Sequence, residues 1–444
     1  MKKKNTLLWM SLCLVLILGA GVLLSNTVGD KQQVADTTQS LVISPGDTMT
    51  VNGMTFEQQN GRWVYPQEPD FPLSQEKLTA MTEALAALSA DRSLEAPENL
   101  APYGLDAPLA TVTTGGQTLT VGGTASTDGG RYFSMGDGRL YITSQDLVTP
   151  FEVTLLDLAD TETAPYMEVL DSVTLTRADG TGWTIENRQG EHLAYTQSLI
   201  WFLGTQALDT EETEALIRNA TDLEFLGCAA YAPEDLESLG LEHPFLTVTV
   251  RYSAPEEGSY VLDIGNAVSG KYYARIRGSQ AVYWMDAIPV NALRDADPAA
   301  LLPRQALLLE PEEITAVTVN LAGETWRFTP ETREKQTQEA AEDTQGETEI
   351  IWLLNGRETS FAQVLTTLRS LTSTGSSRGT EPTLARELEF VFETTDPIYP
   401  TVTLCLYRCS AKESLVTLNG ESTLFISRAD AAGLYEAVTG IVLQ

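Results

Sequence analysis

The sequence predicts an α+β fold of two to three repeats, each an antiparallel β-meander packed with helices, behind one N-terminal transmembrane helix. Three observations predict it. A lysine-led apolar run opens the chain, a block of residues returns about 140 positions later, and alternating strand-like runs are punctuated by Asn-Gly and Asp-Gly pairs. With 444 residues, 43% hydrophobic and 20% charged, the chain suits two or three packed domains and differs from a disordered composition.

The first element is the anchor. Lys2, Lys3 and Lys4 precede an apolar run from Leu7 to Leu24, whose length at helical rise is about 27 Å, close to the hydrocarbon thickness of a bilayer. Basic residues beside a first helix stay on the cytoplasmic side, so the rest of the chain is expected outside the cell. A cleaved signal peptide would want an A-x-A triplet after the run, and none follows. A lipoprotein signal would want a small residue before Cys13, where Leu12 stands. Residues 1–29 therefore read as a cytoplasmic tail and uncleaved single-pass anchor, and residues 30–40 as a polar tether.

The formal charge of −33 understates the outer part, because three of the basic residues lie before the apolar run. Such a surface repels nucleic acid and anionic headgroups, so partners are expected to be neutral, cationic or protein. Cysteine does not supply a disulfide framework. Of the four, Cys13 lies in the apolar run, and Cys405 and Cys409 sit about 13 Å apart along a strand-like segment, too far to bridge.

The repeat defines the outer region. Tyr103-Gly104-Leu105-Asp106-Ala107-Pro108 returns as Leu239-Gly240-Leu241-Glu242-His243-Pro244, 136 residues on. Leu119-Thr120-Val121-Gly122 matches Leu262-Asp263-Ile264-Gly265, and Gly130-Arg131-Tyr132-Phe133 matches Gly270-Lys271-Tyr272-Tyr273. Offsets of 143 and then 140 place the length changes in turns. Each copy opens with hairpins, marked by Asn52-Gly53, Asn60-Gly61 and Asp179-Gly180, with Trp63, Trp183 and Trp326 in the strands.

A helix is expected after each opening meander. Ser74 caps one with Leu78, Met81, Leu85 and Leu88 on one face, and Ser360 caps one with Phe361, Val364, Leu365, Leu368 and Leu371. The middle helix is expected from about Gln197 to Leu208. The third copy keeps the strand order but lacks both motif blocks. Residues 329–349, rich in Glu, Gln and Thr, read as a flexible insertion within it. The units are thus 41–160, 167–303 and 312–444, with boundaries near residues 160–166 and 303–311.

Gly104 and Gly240 are expected to shape turns that carry Leu105 and Leu241 inward, leaving Asp106 and Glu242 as turn acids. Tyr132, Phe133, Tyr272 and Tyr273, beside Arg131, Lys271, Arg275 and Arg277, are the interaction candidates, as aromatic platforms for a sugar ring or peptide. The competing role for the same rings is to fill the core and cover a sheet face. His192 and His243 stand in unrelated contexts, and no metal-binding, phosphate-cradling or nucleophile motif occurs. Asp128-Gly129-Gly130 and Asp137-Gly138 read as turns rather than calcium loops. No catalytic, cofactor-binding or metal-ligating residue is nominated.

These features, an anchor led by lysines, L-G-L-[DE]-x-P, a strand, a glycine, G-x-Y-[YF] and a closing apolar hairpin, resemble the bacterial domain-of-unknown-function family 4340. The resemblance covers residues 41–303 best. It implies a cell-envelope protein encoded beside ABC-2-type exporter permeases and gliding-motility-type subunits, hence a non-enzymatic accessory or interaction module of an ABC exporter. Two other classes remain open: a binding protein for cell-wall glycan or peptide, and an envelope hydrolase with two carboxylates facing each other across a cleft.

Overall fold

The computed structural model describes residues 38–126, 129–334, 348–377 and 379–443. The Leu7 to Leu24 run, Cys13, Asp128 and most of the tether lie outside them. Among the described residues no helix is long and apolar enough to cross a membrane. The chain divides into two compact units, one ending at Leu158 and one from Ala159 onward.

The first unit holds an eight-stranded antiparallel sheet. Its opening meander is Thr48–Val51, Met54–Gln59 and Arg62–Val64, and its closing meander is Ala110–Thr114, Gln117–Thr124, Arg131–Ser134 and Arg139–Thr143. The two join through their first strands, Val51 facing Val112, and Arg92–Glu95 seals the far edge against Arg139–Thr143. The opening turns are tight because Asn52, Gly53, Asn60 and Gly61 all take positive φ. Helix α1 (Gln75–Ala86) follows the opening meander. Ser74 caps it by accepting the Lys77 N–H, and Leu78, Met81 and Leu85 are buried.

The second unit holds two nine-stranded sheets of the same strand order. The middle sheet runs from Gln206–Ala207 at one edge through Trp201–Leu203, Gly182–Asn187, Val169–Arg177, Leu246–Ala254, Gly258–Val268, Lys271–Ile276 and Ala281–Asp286 to Phe225–Tyr231. In the last sheet Ile314–Leu321 likewise joins the two meanders by pairing with Arg386–Thr394, and Gly375–Ser376 closes the far edge. Helices α2 (Thr210–Thr221) and α3 (Ala287–Arg294) pack on the middle sheet, α4 (Phe361–Ser370) and α5 (Arg428–Val442) on the last. Ile217 and Val290 meet Val248 and Leu262 in one core, and Val364, Leu368 and Leu434 meet Phe390 and Phe392 in the other. Each such side chain contributes roughly 1.5–3 kcal/mol on burial.

The α+β expectation holds in its coarser form: antiparallel sheet dominates and helices are few. Three details differ. The middle helix is Thr210–Thr221, not 197–208, because Gly204 at positive φ turns the chain between the short strands Trp201–Leu203 and Gln206–Ala207. Asp209 then caps α2 by accepting the Glu212 N–H. Ser360 stands at the N-cap of α4, but its side chain makes no cap hydrogen bond. Finally, residues 329–334 and 348–349 are ladder, not insertion, since Glu324–Glu334 pairs with Thr348–Leu354 from Phe328 with Leu354 to Glu334 with Thr348. The intervening residues lie outside those described.

A candidate cleft between the second and third sheets

The repeated L-G-L turn is a packing device. Gly104 and Gly240 have φ of 68° and 71°, and Leu105 and Leu241 are buried. Each turn lies directly on a glycine of the neighbouring strand. A Cβ on Gly122 would stand 2.4 Å from the Tyr103 carbonyl oxygen, and one on Gly265 would stand 2.2 Å from that of Leu239. Asp106 and Glu242 are exposed, as expected of turn acids.

The four aromatic candidates have separate fates. Phe133 is fully buried, stacked on Tyr141 at 5.1 Å, so its expected place on an interaction surface is corrected to the core. Tyr132 is half-buried, edge-on to Tyr103. Tyr272 is half-buried against Phe245, with its hydroxyl bonded to Asn291 and Arg294. Tyr273 stacks on Trp284 at 4.4 Å. The sequence pairing of these residues is also off by one. Val121 faces Phe133 and Ile264 faces Ala274, so Tyr132 corresponds to Tyr273 and Phe133 to Ala274. The glycines that aligned them differ in role: Gly270 is a turn residue at φ 80°, whereas Gly130 lies tight against Ile142 and Thr143. One residue of slip reverses the face of every side chain.

A feature the motifs did not mark lies inside the second unit. Where the first sheet turns in two residues at Asn60-Gly61, the middle sheet sends out an arm, residues 188–200, between Gly182–Asn187 and Trp201–Leu203. The arm closes on itself through the Arg188 N–H donated to Ile200, and Arg188 pairs with Glu186. Its tip reaches the third repeat. Tyr195 packs against that repeat's core and accepts the Leu308 N–H at 3.0 Å, and burial pushes its phenol up to about 12. His192, at φ 53°, brings Nε2 to 2.5 Å from Oδ2 of Asp396, beside the Tyr399 ring. Burial works to raise the Asp396 carboxyl, but the N–H groups of Ile398 and Tyr399 together with His192 outweigh it and hold it below the usual range.

Beside the arm is a cleft of about 580 Å³. The arm supplies Tyr195 and Leu199, the edge strand of the middle sheet Gln206, the connection between repeats Leu302 and Gln305, and the last hairpin of the third sheet Glu421 to Leu424. Its walls mix aliphatic carbon with hydroxyl and amide groups. Among its described lining residues Glu421 is the only side chain charged at neutral pH. The Asn419-Gly420 turn holds Glu421 at the rim, exposed.

Elsewhere, buried acids are already paired. Asp263 takes both arms of Arg277 and the Thr247 hydroxyl. Glu389 binds Asn320 and Arg386, with Cys405 Sγ 3.6 Å away, and burial pushes that thiol up. Cys228, Cys405 and Cys409 are all free thiols. Among the described residues no three His, Cys, Asp or Glu side chains are placed to hold a metal ion.

The model of a family described as a domain of unknown function, DUF4340, matches residues 63–199 and 203–384. The chain belongs to the DUF4340 family. Its two matched segments begin 140 residues apart at the same element, the strands Arg62–Val64 and Trp201–Leu203. The family module is therefore out of phase with the sheets: a copy runs from one opening meander, through the helix and closing meander, into the next opening meander. No curated protein and no solved structure is significantly similar to the chain.

Proposed function

We propose that this DUF4340 protein is a single-pass, membrane-anchored extracytoplasmic module that serves an ABC-type exporter at the cell envelope by binding rather than by catalysis. The observation that carries the reading is the contrast between a repeated backbone and unrepeated chemistry. Strand order recurs in all three sheets, yet the same lattice point holds Thr111 and Thr120 in the first, Thr247 and Asp263 in the second, and Glu389 and Cys405 in the third. Repeats that keep shape and vary surface suit an extended contact surface. The lysine-led Leu7 to Leu24 run supports the anchor, and the net charge of −33 argues against nucleic acid as a partner.

The test is crosslinking of the full-length protein in cells, then purification from solubilised membranes and mass spectrometry. ABC permease subunits enriched over an anchor-only control are the expected result. Their absence, with the protein released intact from membranes by carbonate, would overturn both the exporter role and the anchor.

A second reading, binding of cell-wall peptide, is favoured by the cleft beside the arm. A hydrolase fits that cleft poorly, because Glu421 is the single carboxylate among its described lining residues and glycoside chemistry asks for two.

A further inference from the structure

We propose that the cleft between the second and third repeats is a binding site for a small amphiphilic cation: a primary amine on an apolar body that carries amide groups, the chemistry of a short apolar peptide's amino end. Size is the first ground, since about 580 Å³ falls in the range that encloses small organic ligands. Lining is the second. Leu199, Leu302 and Leu424 offer aliphatic walls, and polar groups from three separate chain segments converge between them. Tyr195 has already accepted the Leu308 N–H, which leaves its own O–H proton to donate. The amides of Gln206 and Gln305 each offer a donor and an acceptor, which matches a peptide-like body.

Charge decides the class. Glu421 is the one charge among the described lining residues, it makes no ion pair within the described residues, and it stands on a chain of net charge −33. Phosphates, sulfates and carboxylates would meet no countercharge on those walls, whereas an ammonium group would meet a rim carboxylate. The arm gives the cleft a firm wall, because Tyr195 is fixed in the third repeat's core and His192 lies against Asp396. The proposal stands apart from the exporter reading, since purified protein suffices to test it.

The probe is leucyl-phenylalanine amide, titrated calorimetrically into the full-length protein, with its N-acetylated form as the uncharged partner. Saturable, sub-millimolar binding of the free amine is expected. Glu421→Gln, at an exposed position beside a turn, should weaken it about two- to fivefold, as for an exposed ion pair, and should leave the weaker binding of the N-acetyl form unchanged. Ala207→Trp, which fills the cleft from the edge strand, should abolish binding of both. Unchanged thermal unfolding of the two variants would establish that they fold. No saturable binding of the amine would overturn the proposal. Equal affinity for both forms would overturn the cationic class, and binding unaffected by Ala207→Trp would overturn the location.

Discussion

Phe133 and Gly265 carry more of this fold than their neighbours in the motifs. Phe133 lies wholly inside the first sheet's core, whereas Tyr132 beside it is half-exposed. Phe133→Ala should therefore cost about 3–5 kcal/mol of the first unit's stability, read by urea unfolding, and Tyr132→Ala clearly less. A result in the reverse order would put Phe133 on the surface and restore it as an interaction residue. At Gly265 the obstacle is backbone, the Leu239 carbonyl oxygen 2.2 Å from where a Cβ would sit, so no rotamer change relieves it. Gly265→Ala should cost about 1–3 kcal/mol by forcing the L-G-L turn off the strand. An unaltered unfolding midpoint would show that the turn does not depend on that contact.

Helix caps separate elements whose starts look alike in sequence. Asp209 accepts the Glu212 N–H at 3.0 Å, while the Ser360 side chain makes no such bond at the head of α4. Asp209→Ala should destabilise α2 by about 1 kcal/mol, seen as faster amide exchange in its first turn, and Ser360→Ala should change α4 little. Equal effects at the two positions would contradict the cap assignment. The same comparison explains the misplaced middle helix. Residues 197–208 are apolar enough for a helical face, but Gly204 breaks the run, and the D-x-x-E signal at Asp209 and Glu212 was the better guide to the start.

Within the second unit, the arm couples two repeats that could otherwise unfold apart. Tyr195 is the coupling residue and leaves a signature in pH. Its native phenol titrates at about 12 against a model value of 10.0, so between these values the native state keeps a proton that the unfolded chain gives up. The stability it contributes is full below pH 10 and is lost as pH rises through 12, by roughly 2–3 kcal/mol. Tyr195→Phe should cost about 1–2 kcal/mol at neutral pH by stranding the Leu308 N–H, and should flatten the alkaline fall. If the wild-type and variant curves stay parallel from pH 9 to 12, the phenol is not buried in solution.

The sequence by itself determined the repeat, its hairpin turns and the helix faces, because these depend on neighbours along the chain. Asn52-Gly53 and Asn60-Gly61 accept positive φ wherever they occur, and Leu78, Met81 and Leu85 share a helix face at any place in the fold. It also marked Gly104 and Gly240 as turn formers and the third copy's strands at Leu388, Thr401, Leu415 and Leu424, all of which lie in the last sheet. Tertiary structure alone decided which residues meet across the fold. The register that pairs Phe133 with Ala274 turns on where a bulge and a loop fall, and the carbonyl against Gly265 belongs to another segment. The arm and cleft have no local signal at all. Tyr195, Gln305 and Glu421 lie more than a hundred residues apart in pairs, and only packing of one repeat on the next brings them to one site.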